Sequence, residues 1–511
     1  TIPRIGVVID SGLVRRTQYR GGRRHLALKP VATDSADQRS GRAGRLGPGV
    51  AFRLWRQDAR LDPHTPPEVY RESLVPLVLA AAACGQPKLD LPFLDPPHKH
   101  AVEDAREKLR LLGALDESGA LTERGARLFA LPLDPHLGRL VIEGERRGLL
   151  DVVVPLVAAL SVQRRLFLGT AETPEDDLGR AGCDAVARIR AVCHGEARRH
   201  GLDPLTLADA RAAAHRIHRF LGGAEAHSGA PRDPPIDRRA LAEAVLAAWP
   251  DAAHVARRRR GHVAWSNGGT ELELGRTARI DAEKVDVILV LDSIALTVGP
   301  RRNPLVITAA MPVKDAWLVA AGVGRRRLTA PGLKDRQVIG RLEIVHAGRV
   351  LATEEATPRG AMLRGAVCEL VLAGRMYRGV RGPLAERLQR HSLARGLEGA
   401  PLPLAQGDWL AARIDELGLE EPEDLSLIEI EDLLPPDLPE WQSEQLAREY
   451  PTTLSVGDAR YTITYDPARR VATLHQTGTR RGPPPDPFLP RLPGWRIDWE
   501  HKKRIRTVRE R

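Results

Sequence analysis

Four cysteines, three methionines and nine lysines are few for 511 residues, and each scarcity excludes something. Cys84, Cys183, Cys193 and Cys368 lie far apart and form no Cys-x-x-Cys pair. That argues against a disulfide framework or a zinc site and reads as reduced, structural thiols. No apolar run approaches the roughly 18 residues that a bilayer span requires. The longest candidates, residues 152–162 and 285–298, are too short or are interrupted by Asp286 and Asp292. No stretch reads as a signal peptide, so the cytoplasm is expected, without a membrane partner. Gly-Lys-Thr and Gly-Lys-Ser are also missing, as is Asp-Glu-x-His. Asp116-Glu117 runs into Ser118-Gly119, and Asp415-Glu416 into Leu417-Gly418. Without a phosphate loop or a metal-holding carboxylate box, these residues alone are not expected to hydrolyse ATP.

Arginine dominates what is present. Lys+Arg of 77 against Asp+Glu of 66 gives a net charge of +11, which suits a polyanionic partner. The length fits about three to five domains. The most informative segment is Asp37-Gln38-Arg39-Ser40-Gly41-Arg42-Ala43-Gly44-Arg45. Guanidinium forks bind phosphate oxygens bidentately and stay charged, glycines let the backbone pass close to a nucleotide, and a glutamine can orient an attacking water. The bland alternative is a solvated Arg/Gly loop in an arginine-rich chain.

Residues 38–45 resemble motif VI of the DEAH-box helicases, at that family's spacing. Thr1-Ile2 with Val7-Val8-Ile9-Asp10-Ser11-Gly12-Leu13 resembles the end of motif V and the strand after it. Leu94-Asp95-Pro96-Pro97, Leu111-Leu112-Gly113-Ala114-Leu115-Asp116 and Leu121-Thr122-Glu123-Arg124-Gly125 resemble the family's winged-helix segment, and Leu131-Pro132-Leu133-Asp134-Pro135 its passage into a helical ratchet. Order and spacing are most similar to the bacterial HrpB-type branch, strongly over residues 1–165 and as a pattern beyond. The resemblance implies the carboxyl-terminal portion of an ATP-dependent RNA helicase. Gln38 would position the lytic water, and Arg42 and Arg45 would contact the terminal phosphate, with Asp10 and Gly12 also on the ATP side. ATP and Mg²⁺ would belong to the complete helicase and not be held by this chain alone. An amino-terminal helicase half, in cis or in trans, would complete the site.

The expected architecture is multidomain, mixing α/β, α and β parts. Residues 1–60 read as a remnant of the second RecA-like domain, with strands at 5–9 and 50–55, and 61–132 as a winged helix. Within the latter, Asp95-Pro96 predicts a helix start, Val102, Ala105, Leu109 and Leu112 share a face, and a second helix opens at Thr122. Residues 133–256 read as a helical ratchet, starting at Asp134-Pro135 and interrupted by a polar stretch at 169–179. His215 and His218 there are i, i+3 neighbours, more simply a solvated helix face than a metal site. Residues 257–358 read as an OB-like β-rich domain, with strands at 262–266, 271–276, 285–298, 305–308, 341–345 and 349–353. Residues 359–511 read as an HrpB-type α+β terminal domain with a basic tail. Its acidic stretch, 420–437, should pack on a basic neighbour, and 461–465 with 471–475 should form a hairpin.

For single-stranded RNA or DNA, the candidate contacts are Thr1, the run Arg257, Arg258, Arg259 and Arg260 at the barrel's entrance, and Arg325–Arg327 in a loop. Trp495, Trp499, Lys502, Lys503 and Arg504 in the tail complete the set, because rings stack on bases while cations track phosphates. For the arginine runs and the tail, ordinary solvated charge or a tryptophan-anchored packing segment remains the competing reading. Two other functional classes stay open. One is a non-catalytic nucleic-acid-binding protein, and the other a split enzyme completed by a separate phosphate-loop chain.

Overall fold

The computed structural model describes residues 5–510 except 21–22, 163, 169–181, 223–232, 276–277, 297–304, 336, 398–404, 477–482 and 502–503. The chain divides into two compact units, Thr1–Arg325 with Ile344–Ala352, and Arg326–Glu343 with Thr353–Arg511.

The first unit opens with strands β1 (Val7–Asp10), β2 (Leu13–Arg20) and β3 (Arg23–Pro30), helix α1 (Thr33–Ser40) and strand β4 (Val50–Arg53). β1 and β4 pair in parallel, with Val7 beside Val50 and Ile9 beside Phe52, as expected for a piece of an α/β domain. Among the described residues, helices α2 (Val75–Ala83), α3 (Lys99–Leu111), α4 (Glu123–Ala130), α5 (Pro135–Arg146), α6 (Leu150–Ser161), α7 (Asp184–His194) and α8 (Pro204–Phe220) follow. α9 (Arg238–Ala248) completes the helical core.

Several starts are fixed by side chains that accept the first free N–H groups. Thr122 accepts from Gly125, Asp134 from His136, Asp203 from Thr206 and Asp237 from Arg239 and Ala240. Each such cap contributes about 1 kcal/mol. The expected start at Asp95-Pro96 is wrong, because α3 begins at Lys99 with His98 as an unbonded cap. Pro97 is the reason: a residue followed by proline is pushed out of the helical region, so Pro96 cannot open a helix. The face is as expected, with Val102, Ala105 and Leu109 buried and Leu112 packed against the same core.

β5 (Ala253–Arg259), β6 (His262–Ser266), β7 (Glu271–Leu274), β8 (Val287–Leu296) and β9 (Leu305–Pro312) follow. The sheet order is β2-β3-β8-β5-β6-β7-β9, and β9 pairs back to β8, which closes a five-stranded barrel. The near-continuous apolar run of β8 follows from burial on both faces. Val287, Leu289 and Leu291 pack into the helical core, while Ile288 joins Trp265, Leu272 and Ile307 inside the barrel. Three assignments differ from expectation, one being that the strands expected at 341–345 and 349–353 lie outside the barrel, in a separate three-stranded sheet. The barrel begins at Ala253 rather than at 257, because Ala253 and Val255 already alternate into the core. The hairpin β2–β3 belongs to this sheet, β3 running parallel to the end of β8.

The short helix α10 (Asp315–Ala320) precedes β10 (Arg325–Lys334), β11 (Gln337–His346) and β12 (Arg349–Ala356), a three-stranded sheet in that order. Arg325–Arg327 therefore start a strand and do not lie in a loop. Arg327 reaches Glu343 at 2.7 Å, a charge pair that favours pairing here and holds the Glu343 carboxyl below its usual range. The turn at Ala347-Gly348 joins β11 to β12, with positive φ at both residues.

In the second unit, helices α11 (Gly360–Leu372), α12 (Arg381–Leu397), α13 (Gln406–Glu416) and α14 (Glu440–Glu449) precede strands β13 (Thr453–Val456), β14 (Ala459–Asp466), β15 (Val471–Gln476), β16 (Arg496–His501) and β17 (Arg504–Arg509). The acidic stretch packs on basic neighbours as expected. Glu420 meets Arg364 at 2.7 Å, Glu421 meets Arg359 at 3.0 Å, and Glu431 and Asp437 meet Arg387 at 2.6 and 3.1 Å. β13 to β17 form one sheet in sequence order, including the expected β14–β15 hairpin. Among the described residues, no helix is long and apolar enough to cross a membrane.

Candidate functional site

The site is built on the corner where α1 meets the end of β1. Asp10 closes β1 with its side chain 5% exposed, and its Oδ1 accepts from Arg39 Nη1 at 2.8 Å and from the Gly12 amide at 3.0 Å. Arg39 also donates to the Leu13 carbonyl at 3.2 Å, which pins the last turn of α1 to the strand. Sequence reasoning missed this anchoring role of Arg39. The signal that could have found it is the Asp-x-Gly at the end of an apolar strand, which needs a donor for its carboxylate. Asp10 Oδ2 is buried without a hydrogen-bond partner. Two glycines are required by close approach. A Cβ on Gly12, at φ +72°, would stand 2.7 Å from the Trp55 ring, and one on Gly49 would stand 2.1 Å from the Ala43 carbonyl oxygen.

Gln38 lies exposed in the last turn of α1, and Arg45 lies exposed in the turn after it. Arg42 is half-buried and lines a shallow cavity with Ile5, Val8, Ile9, Asp10, Ser11 and Arg39. Among the described residues, the side chains of Gln38, Arg42 and Arg45 make no described hydrogen bond or ion pair, whereas neighbouring Arg39 and Arg53 are bonded to Asp10 and Asp37. An acceptor-rich anion such as a phosphate would satisfy them. Behind this corner, Val7, Ile9, Val50 and Phe52 share the other face of the parallel pair, each more than half exposed.

The arginine run at the barrel is differently placed. Arg257 donates to the Ala347 carbonyl. Arg258 pairs with Asp286 at 2.6 Å and donates to the Val285 carbonyl at 3.0 Å, and Arg259 pairs with Glu271 at 2.9 Å. The Arg258 hydrogen bond holds the Asp286 carboxyl below its usual range. Only Arg260, in the turn to β6, is exposed with no described partner. The run therefore begins within β5 and does not form a free entrance.

The tail also departs from expectation. Trp495 is 4% exposed and packs among Tyr450 and Tyr465, with ring centroids 5.7 and 5.6 Å away, so it cannot stack on a base. Trp499 is half-buried against the same core. The cause is strand pairing: β16 runs parallel to β15, and β17 returns beside it. Arg504 opens β17, while Arg509 is tied to Asp486 at 2.8 Å. Thr1, Lys502 and Lys503 lie outside the described residues. His215 and His218 sit on α8, and among the described residues no group of three metal-ligating side chains forms.

A further structural contact had no sequence signal. Asp184, at the start of α7, is buried and accepts from the Ala310 amide of β9 at 3.0 Å and from the Arg279 backbone amide at 3.2 Å, locking the helices onto the barrel. Burial pushes its carboxyl up, against the opposing pull of Arg188.

Residues 134–217 match the family model "Helicase associated domain (HA2), ratchet-like". A human protein, "Probable ATP-dependent RNA helicase DHX34", is 40% identical over 182 residues, 34% of this chain and 16% of that protein. The solved structure of E. coli DExH-box NTPase HrpB superposes with a TM-score of 0.51 at 18% identity, over 92% of this chain and 55% of that one. A second structure, of Escherichia coli DEAH/RHA helicase HrpB, gives 0.50 at 18% identity, over 92% and 56%. The chain resembles the carboxyl-terminal portion of an HrpB-type DEAH-box helicase. The HA2 match and the human relative support a helicase-family function, and the HrpB structures contribute the fold. The chain spans about half the length of the HrpB chains and a sixth of the human relative.

Proposed function

We propose that the chain is the nucleic-acid-handling part of an ATP-dependent RNA helicase of the HrpB type, and that it carries the arginine side of the nucleotide site. The observation behind this reading is the pattern at the α1 corner. Arg39 is held by Asp10, while Gln38, Arg42 and Arg45 have no described partner, and Arg42 lines the shallow cavity next to Arg39. Arg42 and Arg45 would hold the terminal phosphate of ATP and stabilise its charge, and Gln38 would orient water. The phosphate loop and the Mg²⁺ carboxylate would come from a helicase half outside residues 1–511. The bare face of Val7, Ile9, Val50 and Phe52 favours that completion, since parallel sheets are covered on both faces. A free-standing binding module would leave this face in water. α2 to α4, with the small Leu115–Leu121 bridge, would act as the winged helix. The HA2 region and the barrel would carry single-stranded RNA.

The test is made on the purified chain and on the chain supplied with a phosphate-loop helicase half. The chain alone should bind single-stranded RNA with a steep salt dependence and release no phosphate from ATP above background. RNA-stimulated release should appear on completion. RNA-stimulated turnover by the chain alone, or no RNA binding at any salt, would overturn the reading.

A further inference from the structure

Three rings in the first unit form an exposed ladder that no motif explains. Tyr70 ends the short turn Glu68–Tyr70 and is 39% exposed. Its ring stacks on His98 with centroids 4.8 Å apart and planes 23° apart. His98 stacks in turn on His100, at 5.5 Å and 13°. Residues two apart on a helix do not face each other. His98 and His100 lie side by side because His98 precedes α3 in extended conformation while His100 is in its first turn. Both imidazoles are exposed, in contrast to the Trp495 cluster, which is closed in a core. Lys99 stands between the two histidines, exposed and with no described partner. The nearest acid on α3, Glu103, is already bonded to Arg106 and Arg110.

We propose that the Tyr70–His98–His100 ladder, with Lys99, is a stacking platform for a base of single-stranded nucleic acid. Near-parallel exposed rings offer a flat end face to a nucleobase, and an adjacent cation meets its phosphate. The combination tolerates any base, because every base has a π face. This inference rests on the nucleic-acid reading above and adds a site outside the ratchet and barrel.

The test uses the full 511-residue chain, with fluorescent single-stranded oligouridylate and oligoadenylate followed by anisotropy at several salt concentrations. His100→Ala should weaken binding about fivefold or more with the salt slope unchanged, since stacking releases no counterions. His100→Trp, which enlarges the plane, should tighten binding, an outcome that a purely structural ladder would not give. Lys99→Ala should lower the log–log slope by about 0.7. Melting temperatures of the variants check the fold. If both His100 variants bind like the parent, the ladder only props the Glu68–Tyr70 turn against α3 and the proposal fails. If the parent itself does not bind, the nucleic-acid reading fails and the ladder proposal with it.

Discussion

At the end of α1 and in the turn after it, Gln38, Arg42 and Arg45 have no described partner, whereas in β5 three consecutive arginines are bonded to Ala347, Asp286 and Glu271. Both stretches are dense in positive charge, so density does not mark a phosphate site. The difference lies in backbone conformation. A strand places its charges beside the neighbouring strands, where carboxylates and carbonyls at fixed register neutralise them. A glycine-broken turn at a helix end leaves its charges without such register partners. An arginine is available to a ligand where the fold leaves it no internal partner.

The sharpest test of this comparison is hydrolysis. In the helicase completed by a phosphate-loop half, Arg45→Ala or Arg42→Ala should reduce RNA-stimulated phosphate release by about 10³ or more, with RNA affinity nearly unchanged, because these forks act on charge developing in the transition state. Arg259→Ala should leave the rate at the parent value. Equal losses in the two stretches would erase the distinction.

A second contrast sets the α1 corner against the terminal sheet. Trp495→Ala should destabilise the second unit by about 3–5 kcal/mol, as large-to-small changes in a packed core do. Denaturant unfolding would measure it. A variant that unfolds like the parent but binds RNA more weakly would restore the stacking role that burial of Trp495 argues against.

These cases show what the sequence carries. Local rules worked where local forces decide: the Asp-Pro start at Asp134, the β14–β15 hairpin and the apolar face of α3. The same Asp-Pro rule failed at Asp95 only because a second proline follows. Position in chain did not reveal long-range pairing. The parallel addition of β16 to β15 turned a basic, aromatic tail into an inner strand and an edge, and the β2–β3 hairpin joined a barrel more than 200 residues away. At the candidate site, the composition of residues 37–45 was legible. The division of labour between Arg39 and its neighbours was not, because it depends on the buried Asp10.

Arg39→Ala sharpens that division. It should leave Asp10 buried without its cation and lower stability by about 1–3 kcal/mol, less than for a fully buried pair because Arg39 is 36% exposed. Its effect on completed hydrolysis should be milder than that of Arg45→Ala. Adding Asp10→Asn to Arg39→Ala should recover part of the lost stability, which thermal melts would detect. No recovery would mean that Arg39 acts on the ligand and not through Asp10.

The smallest effects separate Arg258 from Arg260. Arg260 is exposed without a described partner, so Arg260→Ala should reduce the salt slope of RNA binding by about 0.7 and leave melting unchanged. Arg258→Ala should do the reverse, keeping the slope while changing how stability depends on pH. Because the Arg258 hydrogen bond holds the Asp286 carboxyl below its usual range, that contribution is present above the unfolded-state value and fades as pH falls through the lowered one. Removing Arg258 leaves only the weaker hold of Arg349, 3.1 Å from Asp286, so the acid-side loss of stability should shrink. Asp184 pulls the other way in both proteins. Its carboxyl is raised by burial, so its share of stability grows as pH falls through the raised value toward the unfolded one. Melting curves from neutral to acidic pH, run on parent and Arg258→Ala together, cancel the Asp184 contribution and isolate that of Asp286. If the two profiles run parallel, Arg258 is not held by Asp286 in solution, and it joins Arg260 among the cations free to meet phosphate.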